Sequence, residues 1–168
     1  GHAVLIEALG HLKDRSWRLA CAGSTGRDPA CATAFRRQIQ WAGLDDRVAL
    51  LGELDDPALQ AAYARADAFV LASYYEGYGM AFAEALAHGL PIVATAGGAT
   101  AQTVPQGAGL LVPPGDVAAL RRALRRLICD AALRAGLQAG AREARRSLPS
   151  WCEAGDRLAA AVLDRGAR

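Results

Sequence analysis

The chain has 168 residues, 52% hydrophobic and 21% charged, with a formal net charge of +2. A chain this long forms one domain that buries about 70% of its unfolded surface, which excludes both a disordered segment and a miniprotein that needs staples. The small charge argues against a nucleic-acid partner, and no apolar run approaches the ~20 residues that cross a bilayer.

The opening, "GHAVLIEALGHL", is already in helical period and carries neither Met nor a signal-peptide pattern. It predicts an excised fragment, residues 1–168 as a single domain, of a soluble cytoplasmic protein. "WRLACAG" (Trp17–Gly23) is a predicted strand running into the loop "GSTGRDP", and a helix is predicted over about Ala30–Ala42, closing at Gly43. "RVALLG" (Arg47–Gly52) is the second strand. In "ELDDPALQAAYARA", Asp56 is expected to cap a helix with Pro57 at its first position. "DAFVLAS" (Asp67–Ser73) is the third strand, and a helix over Gly79–His88 stops at Gly89. "PIVAT" (Pro91–Thr95) and "GLLVP" (Gly109–Pro113) complete five strands. Continuously apolar strands separated by helices require a parallel sheet covered on both faces, so the predicted fold class is α/β, doubly wound.

The last third is helical. Asp116, in "PPGD", is a predicted N-cap, after which Val117, Leu120, Leu124, Leu127 and Ile128 line one face and Arg121, Arg122, Arg125 and Arg126 the other. That basic face is expected to be solvated, although such a stripe can also touch anionic lipid. A further helix is predicted over about Ala131–Ser147. "SWCE" (Ser150–Glu153) has the form of a capping box opening a terminal helix to about Leu163. Cys21, Cys31, Cys129 and Cys152 form no CxxC pair and are expected to be free, partly buried thiols in a reducing compartment.

The most unusual passage is "YYEGYGMAFAEAL" (Tyr74–Leu86), which sets Glu76 and Glu84 on either side of a Gly-Tyr-Gly hinge in an otherwise apolar run. In open parallel sheets ligands sit beyond the carboxyl ends of the strands. Here a strand gives way to a helix whose first-turn N–H groups and dipole favour an anion. Gly77 and Gly79 let backbone approach a phosphate closely. Glu76 stands just before the helix, and Glu84, tilted back toward its N-terminus, can reach the same pocket from below. Two carboxylates beside a phosphate make sense as acceptors of hydroxyl hydrogen bonds, as sugars supply on either side of a diphosphate. The plainer alternatives are helix N-terminal charge complementation for Glu76 and an ordinary polar-face position for Glu84, although Phe82, Ala83, Ala85 and Leu86 leave little polar face. His88 closes the same helix and is expected to complement its C-terminal dipole.

That stretch, read with what surrounds it, resembles the donor-binding half of retaining glycosyltransferases of family 4, two-domain enzymes of GT-B architecture whose C-terminal, Rossmann-like domain carries an E-x7-E signature. Glu76 and Glu84 match the two glutamates within "EGYGMAFAEALAHGLPIVAT". "GHAVLIEAL", "WRLACAGS", "RVALLGEL", "YARADAFVLAS", "GAGLLVPPGDVAALRRAL" and "SWCEAGDRL" agree in order, so the likeness covers essentially the whole chain. The resemblance implies that Glu76 is catalytic and contacts the transferred sugar, that Glu84 holds the ribose hydroxyls, and that amides of Gly77, Tyr78, Gly79 and Met80 meet sugar and diphosphate. It places Gly52, Glu53 and Leu54 around the nucleobase and Gly23 and Ser24 along the same cleft. The implied donor is a UDP- or GDP-linked sugar, with no cofactor and no metal. The acceptor, a sugar or a lipid-linked one, would be bound by an N-terminal domain absent here, and the whole enzyme would work at the inner face of the membrane as a peripheral protein.

Two departures stand out. The family's Arg and Lys diphosphate clamp, with the first strand that carries it, would precede Gly1. In "GGATAQTV", Ala101 and Gln102 replace the family's Pro and Glu, so that loop's usual contacts are not expected. A non-catalytic nucleotide-sugar-binding or regulatory module of the same fold is the alternative function. A dinucleotide-binding oxidoreductase would need G-x-G-x-x-G, which "GSTGRD" does not match. An epimerase of the same two-domain plan would need base-positioned groups that the sequence does not offer.

Overall fold

The computed structural model describes residues 1–148 together with 152, 153, 155, 156, 159 and 160. In chain order the elements are α1 (His2–Gly10), β1 (Leu19–Ala22), α2 (Pro29–Trp41), β2 (Val48–Gly52), α3 (Asp56–Arg65), β3 (Phe69–Leu71), α4 (Met80–Ala87), β4 (Ile92–Thr95), α5 (Thr100–Thr103), β5 (Gly109–Val112), α6 (Val117–Cys129) and α7 (Ala131–Arg146). Aspartates start four of these helices. Asp28, Asp55, Asp116 and Asp130 each accept a hydrogen bond of 2.8–2.9 Å from the N–H three residues on, satisfying a donor that a helix leaves orphaned.

Asp55, not Asp56, caps α3, so Asp56 is its first residue. A carboxylate at the N-cap reaches the third amide, and of two adjacent aspartates only Asp55 meets Ala58 at that spacing. The four-residue α5 was not expected; a single turn carries too little periodicity to show in a sequence. The expected helix after Ser150 starts outside the described residues, although Cys152, Glu153, Gly155, Asp156, Ala159 and Ala160 are helical.

All strand pairs are parallel, β1 with β2 and β3–β4–β5 in that order. No ladder joins β1 to β3, so the strands form two parallel sheets rather than one. Gly1 packs on the carboxyl end of β3 so closely that a Cβ there would fall 1.7 Å from the Ala72 oxygen. From that point α1 leads, through the turn at Leu12 whose carbonyl accepts from the Trp17 ring N–H at 2.8 Å, into β1.

Alternate residues of the strands enter two cores. Val70, Val93, Leu110 and Val112 face Leu5, Leu9, Leu120 and Leu124 on α1 and α6, while Phe69, Leu71, Ile92, Ala94 and Leu111 face Phe82, Leu86, Ala141 and Ala144 on α4 and α7. The expectation of strands covered on both faces holds for β3–β5 and fails for β1–β2. There Leu19, Cys21, Val48 and Leu50 are packed in the first core, but Ala20, Ala22, Ala49 and Leu51 are exposed. α3 packs into the second core instead, through Leu59 and Tyr63. The four cysteines are free, but only Cys21 is partly buried; Cys31, Cys129 and Cys152 are exposed. Burial pushes the Cys21 thiol up to about 11. No described helix is long and apolar enough to cross a membrane.

Candidate functional site

The loop from β3 to α4 is held from beneath by the loop that follows β4. Glu76 and Gly98 form a parallel backbone bridge, and the Ala99 N–H donates to the Glu76 carbonyl at 2.8 Å. Gly98 has φ +64°, and a Cβ there would fall 2.2 Å from the Glu76 oxygen, so the approach requires glycine. The Thr103 hydroxyl donates to the Tyr78 carbonyl at 2.8 Å, and the Thr95 hydroxyl donates to the Ser73 carbonyl. The passage "GGATAQTV" therefore does contact the Glu76 loop, through main chain and the Thr103 hydroxyl. Ala101 and Gln102 themselves are exposed.

Gly79, at φ +80° and ψ +48°, turns the chain into α4. No side chain caps α4, in contrast to the four helices that begin on aspartate. As at α1 and α5, its first-turn N–H groups have no side-chain partner. Glu76 is half-buried beside it, while Gly77, Tyr78 and Met80 are exposed. Tyr74 and Tyr75 are exposed as well.

Glu84 lies about 6 Å along the helix axis from Met80, at 1.5 Å per residue, and is half-buried. One of its oxygens, Oε2, accepts a hydrogen bond from the Tyr63 hydroxyl at 2.9 Å. Burial, then the hydrogen bond to Glu84 and its negative charge, hold the Tyr63 phenol well above its ordinary range, so it stays a donor. His88 is the C-cap of α4, but its ring has specific partners in place of a bare dipole role. It pairs with Gln60 Oε1 at 2.7 Å and stacks on Tyr63 with centroids 5.1 Å apart. Tyr63, which sequence reasoning missed, sits 21 residues from Glu84.

The second group of expected residues lies at the ends of β1 and β2. The Gly23 N–H donates to the Gly52 carbonyl at 2.8 Å, which ties the two loops together. Ser24 and Glu53 are exposed there, and Leu54 is half-buried. No described hydrogen bond links this pair of loops to the Glu76 loop.

The family model for Glycosyl transferases group 1 matches residues 1–130. Among curated proteins the chain is 35% identical over 165 residues to D-inositol 3-phosphate glycosyltransferase of Xylanimonas cellulosilytica, an alignment covering 98% of this chain and 38% of that protein. The chain thus spans about two fifths of that relative. Among solved structures it superposes on sucrose-phosphate synthase from Thermosynechococcus elongatus with a TM-score of 0.87 and 31% identity, over 99% of this chain and 42% of that one. Anabaena HepE, in complex with UDP and glucose, gives a TM-score of 0.84 at 25% identity, over 96% and 44%. The fold is that of the C-terminal, Rossmann-like domain of GT-B glycosyltransferases. The chain belongs to the Glycosyl transferases group 1 family.

Proposed function

We propose that this domain binds a UDP- or GDP-linked sugar and supplies the donor half of a retaining, metal-independent glycosyltransferase. One observation carries the proposal: α4 opens uncapped on a glycine turn with a half-buried carboxylate at each end of the approach, Glu76 before the first turn and Glu84 within the helix. In this arrangement the α4 amides take the diphosphate and offset its charge without a metal. Glu76 accepts from hydroxyls of the transferred sugar, and Glu84 accepts from the ribose through the oxygen that Tyr63 leaves free. Gly52, Glu53 and Leu54, tied to Gly23 and Ser24, border the base. Transfer breaks the bond from the anomeric carbon to the diphosphate oxygen and forms one to the acceptor hydroxyl oxygen, on the same face of the ring. The acceptor's proton leaves with the diphosphate. A sugar or lipid-linked acceptor is held by a second domain, and the enzyme works in the cytoplasm at the membrane surface.

Support comes from the family match and from a structural neighbour that holds UDP and glucose. Calorimetric titration with UDP, GDP and ADP and their sugar conjugates tests the proposal. One base should bind, and one sugar should tighten it. Glu84→Ala should weaken nucleoside diphosphate binding by about 1–3 kcal/mol, while Glu76→Ala should spare it and weaken only the intact donor. Equal losses for both ligands in both variants would sink the assignment. Added chelator should leave donor affinity unchanged, and a loss restored by a divalent cation would overturn metal independence.

A further inference from the structure

Two side chains of α3 face two of α4. Tyr63 and Gln60, three residues apart, meet Glu84 and His88, four apart, and the Tyr63 ring lies on the His88 ring. Tyr63 is also tilted against Phe69 at 6.0 Å, whose ring meets Phe82 edge-on at the same distance. The phenol is thus fixed by rings on two elements, and its one proton is spent on Glu84 Oε2. A glutamate side chain has three rotatable bonds and would otherwise sample several positions at this half-buried spot. Held by Tyr63, its carboxylate keeps one orientation, with the other oxygen turned outward from the bond. That is what recognition of neighbouring hydroxyl donors needs.

We infer that Tyr63 is a positioning residue for ribose recognition: through its hydrogen bond it sets Glu84 to read the ribose hydroxyls of the nucleotide. This inference rests on the proposed role of Glu84 and adds that the discrimination depends on the partner helix. Tyr63 does not touch the ligand, and it acts only through Glu84.

The test compares UDP with its analogue lacking both ribose hydroxyls, titrated into the chain and into Tyr63→Phe, Glu84→Gln and the double variant. Removing a hydroxyl partner from a charged acceptor corresponds to about a tenfold loss. The unaltered chain should therefore prefer UDP by about that factor or more. Tyr63→Phe should lose most of that preference while binding the analogue as before, and the double variant should lose no more than Glu84→Gln alone. A stability role would instead weaken both ligands together. If Glu84→Gln abolishes the preference and Tyr63→Phe keeps it, the positioning role is overturned and the ribose role of Glu84 stands. If Glu84→Gln keeps the preference, both are overturned. Should Tyr63→Phe fail to fold, the unaltered chain labelled with carbon-13 at the tyrosine ζ position decides the matter. The Tyr63 resonance should move on saturation with UDP and stay in place with the analogue; equal movement with both overturns the inference.

Discussion

Gly98 shows how narrowly the site is built. Its left-handed backbone and its approach to the Glu76 carbonyl leave no room for a Cβ. Gly98→Ala should cost about 1–3 kcal/mol in denaturant unfolding and weaken the intact donor more than the nucleoside diphosphate, because it displaces Glu76. Thr103→Val removes the hydroxyl's hydrogen bond to the Tyr78 carbonyl and its longer one to the Ala99 carbonyl, and should cost about 1 kcal/mol, read from the same unfolding curves. At this scale the sequence was informative where chemistry is local. Glu76, Gly79 and Glu84 stand out from their neighbours because carboxylates and glycines are out of place in an apolar run. Tyr63 does not stand out, since a tyrosine on an apolar helix face is ordinary and only the fold brings it to Glu84. The loop of Gly97 and Gly98 was discounted for the side chains it lacks, whereas its contacts are made by main chain.

Helix α7 sets two rules against each other. Helix propensity favours Ala over Gly by about 1 kcal/mol in a helix interior. Gly136 has nothing near its missing Cβ, so Gly136→Ala should raise stability by about that amount. At Gly140 a Cβ would lie 2.0 Å from the Gly107 carbonyl oxygen, where α7 closes over the loop before β5. Backbone cannot yield there, so Gly140→Ala should destabilise by 1 kcal/mol or more despite the propensity, to about 3. Thermal or denaturant unfolding of the pair decides it, and a gain in stability from Gly140→Ala would refute the close approach. Five strands and all the longer helices were legible as elements, because apolar runs and helical stripes are set by burial. Their ends were less so. Asp55 and Asp56 present the same chemistry one residue apart, and the docking of α3 in the second core is encoded by no local pattern.

For the molecule as a whole, buried acids set the response to alkali. The Cys21 thiol rises from 9.0 to about 11 on folding. Between those values the folded chain keeps a proton that the unfolded chain has released. Its contribution is therefore complete below pH 9 and is lost as the pH rises toward 11. Tyr63, raised in the same sense, adds to the loss above the ordinary phenol range. Cys21→Ala should flatten the stability profile between pH 9 and 11 measured by denaturant titration, and an unchanged slope would assign the loss elsewhere. The α/β class was visible in the order of strands and helices, while the pairing of particular strands, β1 with β2 and β3–β4–β5, was not. The ties between the site loops carry a last consequence. Gly23 to Gly52 and Ala99 to Glu76 are bonds between main-chain atoms, so exposed side chains on the same loops, such as Ser24, Glu53, Ala101 and Gln102, can be exchanged without loosening the frame. Exchanges at these positions should therefore alter the surface of the loops while the folding equilibrium stays nearly constant: surface chemistry and persistence are written in different atoms.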